Sequence, residues 1–252
     1  MSEPDDAQAA SAIFEISTTV NAACPTLWQQ AREACAKALD QGHAFAVVLR
    51  EADALADEGL LADEDCQRAA RYRRSRDRHN FILGRTLVHH LVRPPNASAP
   101  CVFSFGRNGK PFLPGCAAFN LSHSDDWIAC VVSHRILVGI DVETFQHLRN
   151  YLDLLAMTTH PAERCIIDQA TAARRLALFK RCWTRKEAVL KATGMGLSDD
   201  LCSIDVQLDE SEPVLGSPAY LRILDLPVDD DRISISLALD ARVLGIAVMF
   251  VY

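Results

Sequence analysis

Four short stretches of this chain carry residue types at spacings that could do chemistry. Gly139-Ile140-Asp141-Val142-Glu143 ends an apolar run with two acids at i and i+2. On a strand those acids share one face while Ile140 and Val142 turn to the other, so the carboxylates stand side by side. Adjacent carboxylates repel unless a cation lies between them, and an oxygen-only set suits Mg²⁺. A solvated strand face bearing two acids is the commoner origin of such a pair. In Trp183-Thr184-Arg185-Lys186-Glu187-Ala188-Val189-Leu190-Lys191, a helix puts Trp183, Glu187 and Lys191 on one face with Lys186 on its flank. An ordinary Glu-to-Lys surface pair is the alternative there. If Glu187 faces Asp141 and Glu143, the three acids hold one Mg²⁺ and Lys191 meets its phosphate ligands. Asn120-Leu121-Ser122-His123-Ser124 places a histidine between two serines at a strand end, which is also a common polar turn. Gly109-Lys110-Pro111 is a rigid turn presenting one ammonium; no GxxxxGK[ST] precedes a helix, so it is no Walker motif. His89 and His90 are neighbours on a helix, point apart, and lack an HExxH spacing.

These residues need elements to position them. AFAVVLRE from Ala44 reads as a strand, and the acidic stretch Glu51 to Asp65 as a surface connection. Asp63 to about Arg93 reads as one long helix whose Arg68, Arg71, Arg78 and Arg85 form a positive stripe, either lining a groove or simply solvated. Pro94 and Pro95 end it. CVFSF, RNGKP and FLPG read as a hairpin or tight loop; AFNLSHS, DDWIACVVS and LVGIDVE are three short β segments. A helical stretch from Ala162 to Phe179 runs on to Thr193 and stops at Gly194 and Gly196. Strands follow at Cys202 to Leu208, Tyr220 to Leu224, Ile233 to Leu239 and Leu244 to Val251. Residues 1–42 read as an N-terminal extension with a helix from Thr26 to Leu39, the first twenty or so mobile. The fold class expected is α+β: a pseudo-twofold pair of similar α/β subdomains, 43–136 and 137–252. Each is a small antiparallel sheet packed on a long helix, with the active site in the cleft between them.

The chain's 252 residues, 49% of them hydrophobic, suffice for a real core, so long disorder is excluded. With 33 acids against 26 bases and a net charge of -7, a general nucleic-acid surface is excluded as well. The bases are unevenly placed. Of five lysines (Lys37, Lys110, Lys180, Lys186, Lys191), three fall within twelve residues, and seven arginines lie between Arg68 and Arg85. Concentrated positive charge on an acidic chain points to one anionic ligand. The nine cysteines are odd in number and never spaced CxxC, which argues for small buried thiols in a reduced cytoplasmic protein. The first ten residues lack the features of a signal peptide, and no apolar run is long enough to span a bilayer.

In order, RNGKPFL, FNLSHS, VGIDVE and FKRCWTRKEAVLKATGMGL resemble the signature set of the 4′-phosphopantetheinyl transferase superfamily, in its long monomeric type. GxDxE at 139–143 and WxxKEAxxK at 183–191, with a trailing GxGL at 194–197, are specific together, and RYRRSRDRHNFILGR resembles the family's basic helix. The likeness spans about 64–200. AMTTHPAE supplies Glu163 where the family has a Glu but lacks the aromatic that usually precedes it. The resemblance implies transfer of the 4′-phosphopantetheine arm of coenzyme A to a serine of an apo acyl or peptidyl carrier protein, releasing 3′,5′-ADP. It implies that Asp141, Glu143 and Glu187 hold Mg²⁺, and that Lys191 contacts the pyrophosphate. Lys110, Pro111, Ser122, His123 and Arg68 then receive the adenine nucleotide and its 3′-phosphate. Glu187, directly or through a metal-bound water, becomes the candidate general base, and Trp183 packs between the halves. A Mg²⁺-dependent nucleotide hydrolase or nucleotidyl transferase using the same acids, and a non-catalytic coenzyme A-binding module, are the rival readings.

Overall fold

A computed structural model of the chain describes residues 14–50, 55–94, 99–145, 151–196 and 201–252. In chain order its elements are β1 (Phe14–Val20), α1 (Leu27–Asp40), β2 (Ala44–Arg50), α2 (Asp63–Ala69), α3 (Ser75–Leu91), the short β3 (Ser104–Phe105) and β4 (Pro111–Phe112), β5 (Ala118–Ser124), β6 (Trp127–Ser133) and β7 (Val138–Thr144). There follow α4 (Tyr151–Thr158), α5 (Pro161–Gln169), α6 (Ala172–Thr193), β8 (Val214–Leu215), β9 (Leu221–Asp225), β10 (Ile233–Asp240) and β11 (Ile246–Val251).

Alternation along β2 explains the layering. Phe45, Val47 and Leu49 pack with α1 and α3, whereas Ala44, Ala46 and Val48 pack with Ile140, Val142, Leu237 and Val248. A strand buried on both faces reads as an unbroken apolar run, which AFAVVL is. The result is helices, a five-stranded sheet, a four-stranded sheet and helices again. A third apolar cluster lies between α4, α5 and α6 and the outer face of the second sheet. The first sheet runs β1-β11-β2-β6-β5 and the second β7-β10-β9-β8.

Mixed α and β structure is as expected, but several elements differ from the sequence reading. The first sheet is mixed, not antiparallel, because β11 pairs in parallel with both β1 and β2. The C-terminal strand therefore belongs to the N-terminal sheet, which redraws the boundary at 136/137. Of the expected extension 1–42, β1 and α1 are integral elements, and residues 1–13 lie outside the described ones. The acidic connection's residues 51–54, and Pro95, lie outside them too.

The long helix from Asp63 is two helices. The break folds α2 back so that Asp65 Oδ2 comes within 3.0 Å of Arg85 Nε, both residues buried, and the guanidinium lies 3.8 Å from the Phe103 ring centroid. Burying that arginine requires a partner, and only the break supplies it. The positive stripe is therefore dispersed: Arg68 sits on α2, Arg78 pairs with Glu58, and Arg85 is inside. The helical stretch 162–193 likewise divides, at Ala170 and Thr171.

Cys202 to Leu208 forms no strand. Its carbonyls are taken by side chains of α6. Lys186 donates to Ile204 and Arg185 to Val206 and Gln207, and a backbone satisfied this way has no ladder to join. Among the described residues no disulfide joins any of the nine cysteines, and only Cys35, Cys130 and Cys182 are buried, fewer than expected.

Candidate active site

Gly139 decides how β7 and α6 meet. A Cβ there would lie 2.1 Å from the Ala188 carbonyl oxygen and 2.5 Å from Ala192 N, so only a residue without a side chain lets the helix backbone descend onto the strand. Asp141, two residues along the same face of β7, then meets the side chains that α6 projects at Glu187 and Lys191. Lys191 Nζ donates to Asp141 Oδ1 at 2.6 Å and to Ser122 Oγ at 2.8 Å, and Ser122 Oγ donates to Asp141 Oδ1 at 3.0 Å. Because Val142 N also donates to Ser122, the hydroxyl of this expected ligand-binding residue is fully committed within the protein.

The carboxylates carry charge at a cost. Asp141 is 2% exposed and Glu187 9%. Burial first, and then the Asp141 charge, push the Glu187 carboxyl up to about 7, with Lys191 pulling the other way. Burial and Asp141 also raise Glu143, against hydrogen bonds from Ser124 and Trp183 and the charge of Lys191. Asp141 Oδ2 and Glu187 Oε1 are buried and have no hydrogen-bond partner. Two such oxygens among mutually repelling acids are the setting a cation would relieve. Among the described residues no three His, Cys, Asp or Glu side chains are already gathered as a metal cage. Mg²⁺ seldom needs a closed protein cage, because waters and substrate phosphates complete its shell, and the orphaned oxygens of Asp141 and Glu187, with Glu143 on the same face of β7, fit that donor set.

The remaining expected site residues lie on other elements, Lys110 and Pro111 at the β3–β4 hairpin, His123 on β5 and Arg68 on α2. Lys110 Nζ donates to Val138 O at 2.9 Å and Ala192 O at 3.2 Å, which ties the β3–β4 hairpin to the last turn of α6 and leaves one N–H to offer. Burial lowers its pKa to about 8. Gly109 adopts φ +81, the left-handed turn that aims this lysine, and Pro111 opens β4. His123 is exposed, yet desolvation by its neighbours and then the Lys191 charge hold its pKa below the ordinary value. Arg68 is exposed, its guanidinium over Phe81. Among the described residues no hydrogen bond or ion pair joins Arg68, Lys110 and His123 to one another. A cavity of about 340 Å³ lies beside Lys110, lined by Gly106, Asn108, Phe112, Ala118, Ile136 and Gly194 among others.

Two of the clustered lysines are not ligand-facing. Lys186 is 1% exposed, paired with Glu163 at 2.8 Å and bonded to Leu201 O and Ile204 O, while Lys180 donates to Asp231 O. Trp183 packs within the C-terminal cluster rather than between the halves. Sequence reasoning named Ser124 and Asn120 only as parts of a motif and missed their role at the seam. Their two-residue period against that of Gly139, Asp141 and Glu143 was the available signal.

A family model for the 4′-phosphopantetheinyl transferase superfamily matches residues 137–225, the segment holding Asp141, Glu143, Glu187 and Lys191. A 4′-phosphopantetheinyl transferase, AcpT, of Salmonella typhi is 33% identical over 153 residues, covering 60% of this chain and 76% of that protein. This chain belongs to the 4′-phosphopantetheinyl transferase superfamily. Other superfamily relatives include HetI of Nostoc, 29% identical over 77% of this chain and 86% of its own length. A phosphopantetheinyl transferase of Thraustochytrium is 30% identical over 62% of this chain. The chain spans 60% of the length of the Thraustochytrium protein. Among the described residues no helix is long and apolar enough to cross a membrane.

Proposed function

We propose that this protein transfers the 4′-phosphopantetheine arm of coenzyme A to a serine hydroxyl of an apo acyl or peptidyl carrier protein. The observation that carries the reading is the Lys191–Asp141–Ser122 constellation, with the orphaned oxygens of Asp141 and Glu187 buried beside it. The serine oxygen bonds to the β-phosphorus of coenzyme A, the bridging P–O bond breaks, and 3′,5′-ADP leaves. Glu187, with a pKa near neutrality, accepts the serine proton, and Lys191 offsets charge gathering on the leaving phosphate. Mg²⁺ bound by Asp141, Glu187 and Glu143 would screen the diphosphate. The cavity beside Lys110 is assigned to the adenine nucleotide, with His123 and Arg68 for its 3′-phosphate. Superfamily membership and the names of the relatives support phosphopantetheinyl transfer. The reading includes a monomer of two pseudo-twofold halves in the cytoplasm, a compartment suited to nine cysteines that form no disulfide.

The test is to incubate the protein with Mg²⁺, coenzyme A and several apo carrier proteins, then weigh the carriers. A mass gain of one phosphopantetheine is expected on at least one. No gain on any, with the protein folded, would remove the transferase reading.

A further inference from the structure

β5 and β7 belong to different sheets, with no main-chain pairing between them. A column of side chains joins them. Ile140 N donates to Asn120 Oδ1 at 2.9 Å, Val142 N to Ser122 Oγ at 3.2 Å, and Thr144 N to Ser124 Oγ at 3.0 Å. The period is two on both strands, so each acceptor lies on the face of β5 turned toward β7, and each N–H finds the partner a sheet would otherwise give it. The serines do more than accept. Ser122 Oγ donates to Asp141 Oδ1 at 3.0 Å, and Ser124 Oγ donates to Glu143 Oε2 at 3.0 Å, in each case the residue just before its N–H donor. Asn120 has no such duty, because the matching residue is Gly139. Thr144 Oγ1 also lies 3.1 Å from Ser124 Oγ, where either hydroxyl could donate, and it has Asp125 as a second partner.

We propose that Ser124 is a positioning residue for Glu143, as Ser122 is for Asp141: its oxygen is pinned by the β7 main chain, so its hydroxyl stands within hydrogen-bond reach of the carboxylate and orients it before any ligand arrives. The inference rests on reading these carboxylates as metal ligands. Groups that orient metal ligands in this way are commonly worth about 10-fold or more in metal affinity. A column that only glues the sheets together would leave metal affinity alone.

The experiment uses the full chain and Mn²⁺ as probe, titrated by electron paramagnetic resonance without coenzyme A or carrier. Amide hydrogen exchange at Ile140, Val142 and Thr144 is followed in parallel. Ser124→Ala should weaken Mn²⁺ binding about 10-fold and speed exchange at Thr144 alone, and Ser124→Thr should restore both. Ser124→Cys keeps the shape but offers a weak donor, so it should lose Mn²⁺ affinity as alanine does, even if Ser124→Ala fails to fold. If the wild type binds Mn²⁺ and a folded Ala or Cys variant binds it equally well, the positioning role is overturned. If the wild type itself binds none, the metal reading falls and takes this inference with it.

Discussion

Gly139→Ala tests the contact on which the site is built. The added Cβ would sit 2.1 Å from Ala188 O, whereas ordinary contact begins at 3.4 Å, so strand and helix must part by about 1.3 Å. Both colliding groups are backbone, and neither has a rotamer to yield. Overpacking of this kind costs about 1–3 kcal/mol, and more where backbone must move. A displacement of that size also takes the 2.6 Å Lys191–Asp141 contact beyond hydrogen-bond range, and a misplacement of about 1 Å can cost about 100-fold in rate. Urea unfolding should therefore show a loss of at least about 1 kcal/mol, and carrier modification should slow by about 100-fold. Gly84→Ala on α3 is the control. Its Cβ would meet only Leu121 and Ile128 side chains, at 3.4 Å or more, so helix propensity should leave it neutral or stabilised by up to about 1 kcal/mol. Should Gly139→Ala unfold within about 0.5 kcal/mol of wild type and transfer at the wild-type rate, the account of why α6 lies on β7 is refuted.

Other perturbations separate the roles of the buried charges. The folded pKa of Glu187, about 7, lies above its ordinary 4.5, so its contribution to stability is full below pH 4.5 and is lost as pH rises through 7. In metal-free protein the loss amounts to about 3 kcal/mol; subtracting the Glu187→Gln stability profile from that of the wild type should reveal it, and a flat difference would contradict the pKa assignment. Lys186→Met strands the buried Glu163 carboxylate and should cost about 3–5 kcal/mol in chemical denaturation. Adding Glu163→Leu should recover a large part of that, and strict additivity would show the pair is not coupled. Asp141→Ala should abolish transfer in the carrier mass assay while the variant remains folded, and wild-type turnover would remove Asp141 from the site.

Much of the candidate site's geometry was legible in the chain. Asp141, Glu143, Glu187 and Lys191 stand at strand and helix spacings that force them onto single faces, and Gly194, at φ +73, ends α6 where a glycine stop was expected. The lysine cluster misled because the same ammonium suits a phosphate or a buried carboxylate. Only packing shows that Lys186 faces Glu163 and the carbonyls of 201 and 204. The arginine stripe failed for a related reason: helical spacing describes a helix that continues, and the Asp65–Arg85 pair exists only because it does not.

By itself the sequence determined which residues could share a face, since periods of two and 3.6 follow from local backbone geometry. Tertiary structure decided what those faces met. It placed β11 between β1 and β2, far from its neighbours in the chain. It also set Asn120, Ser122 and Ser124 against β7 as a substitute for a ladder. Such pairings depend on which surfaces bury the most apolar area and satisfy the most backbone groups together, a sum over the whole molecule that no single segment contains.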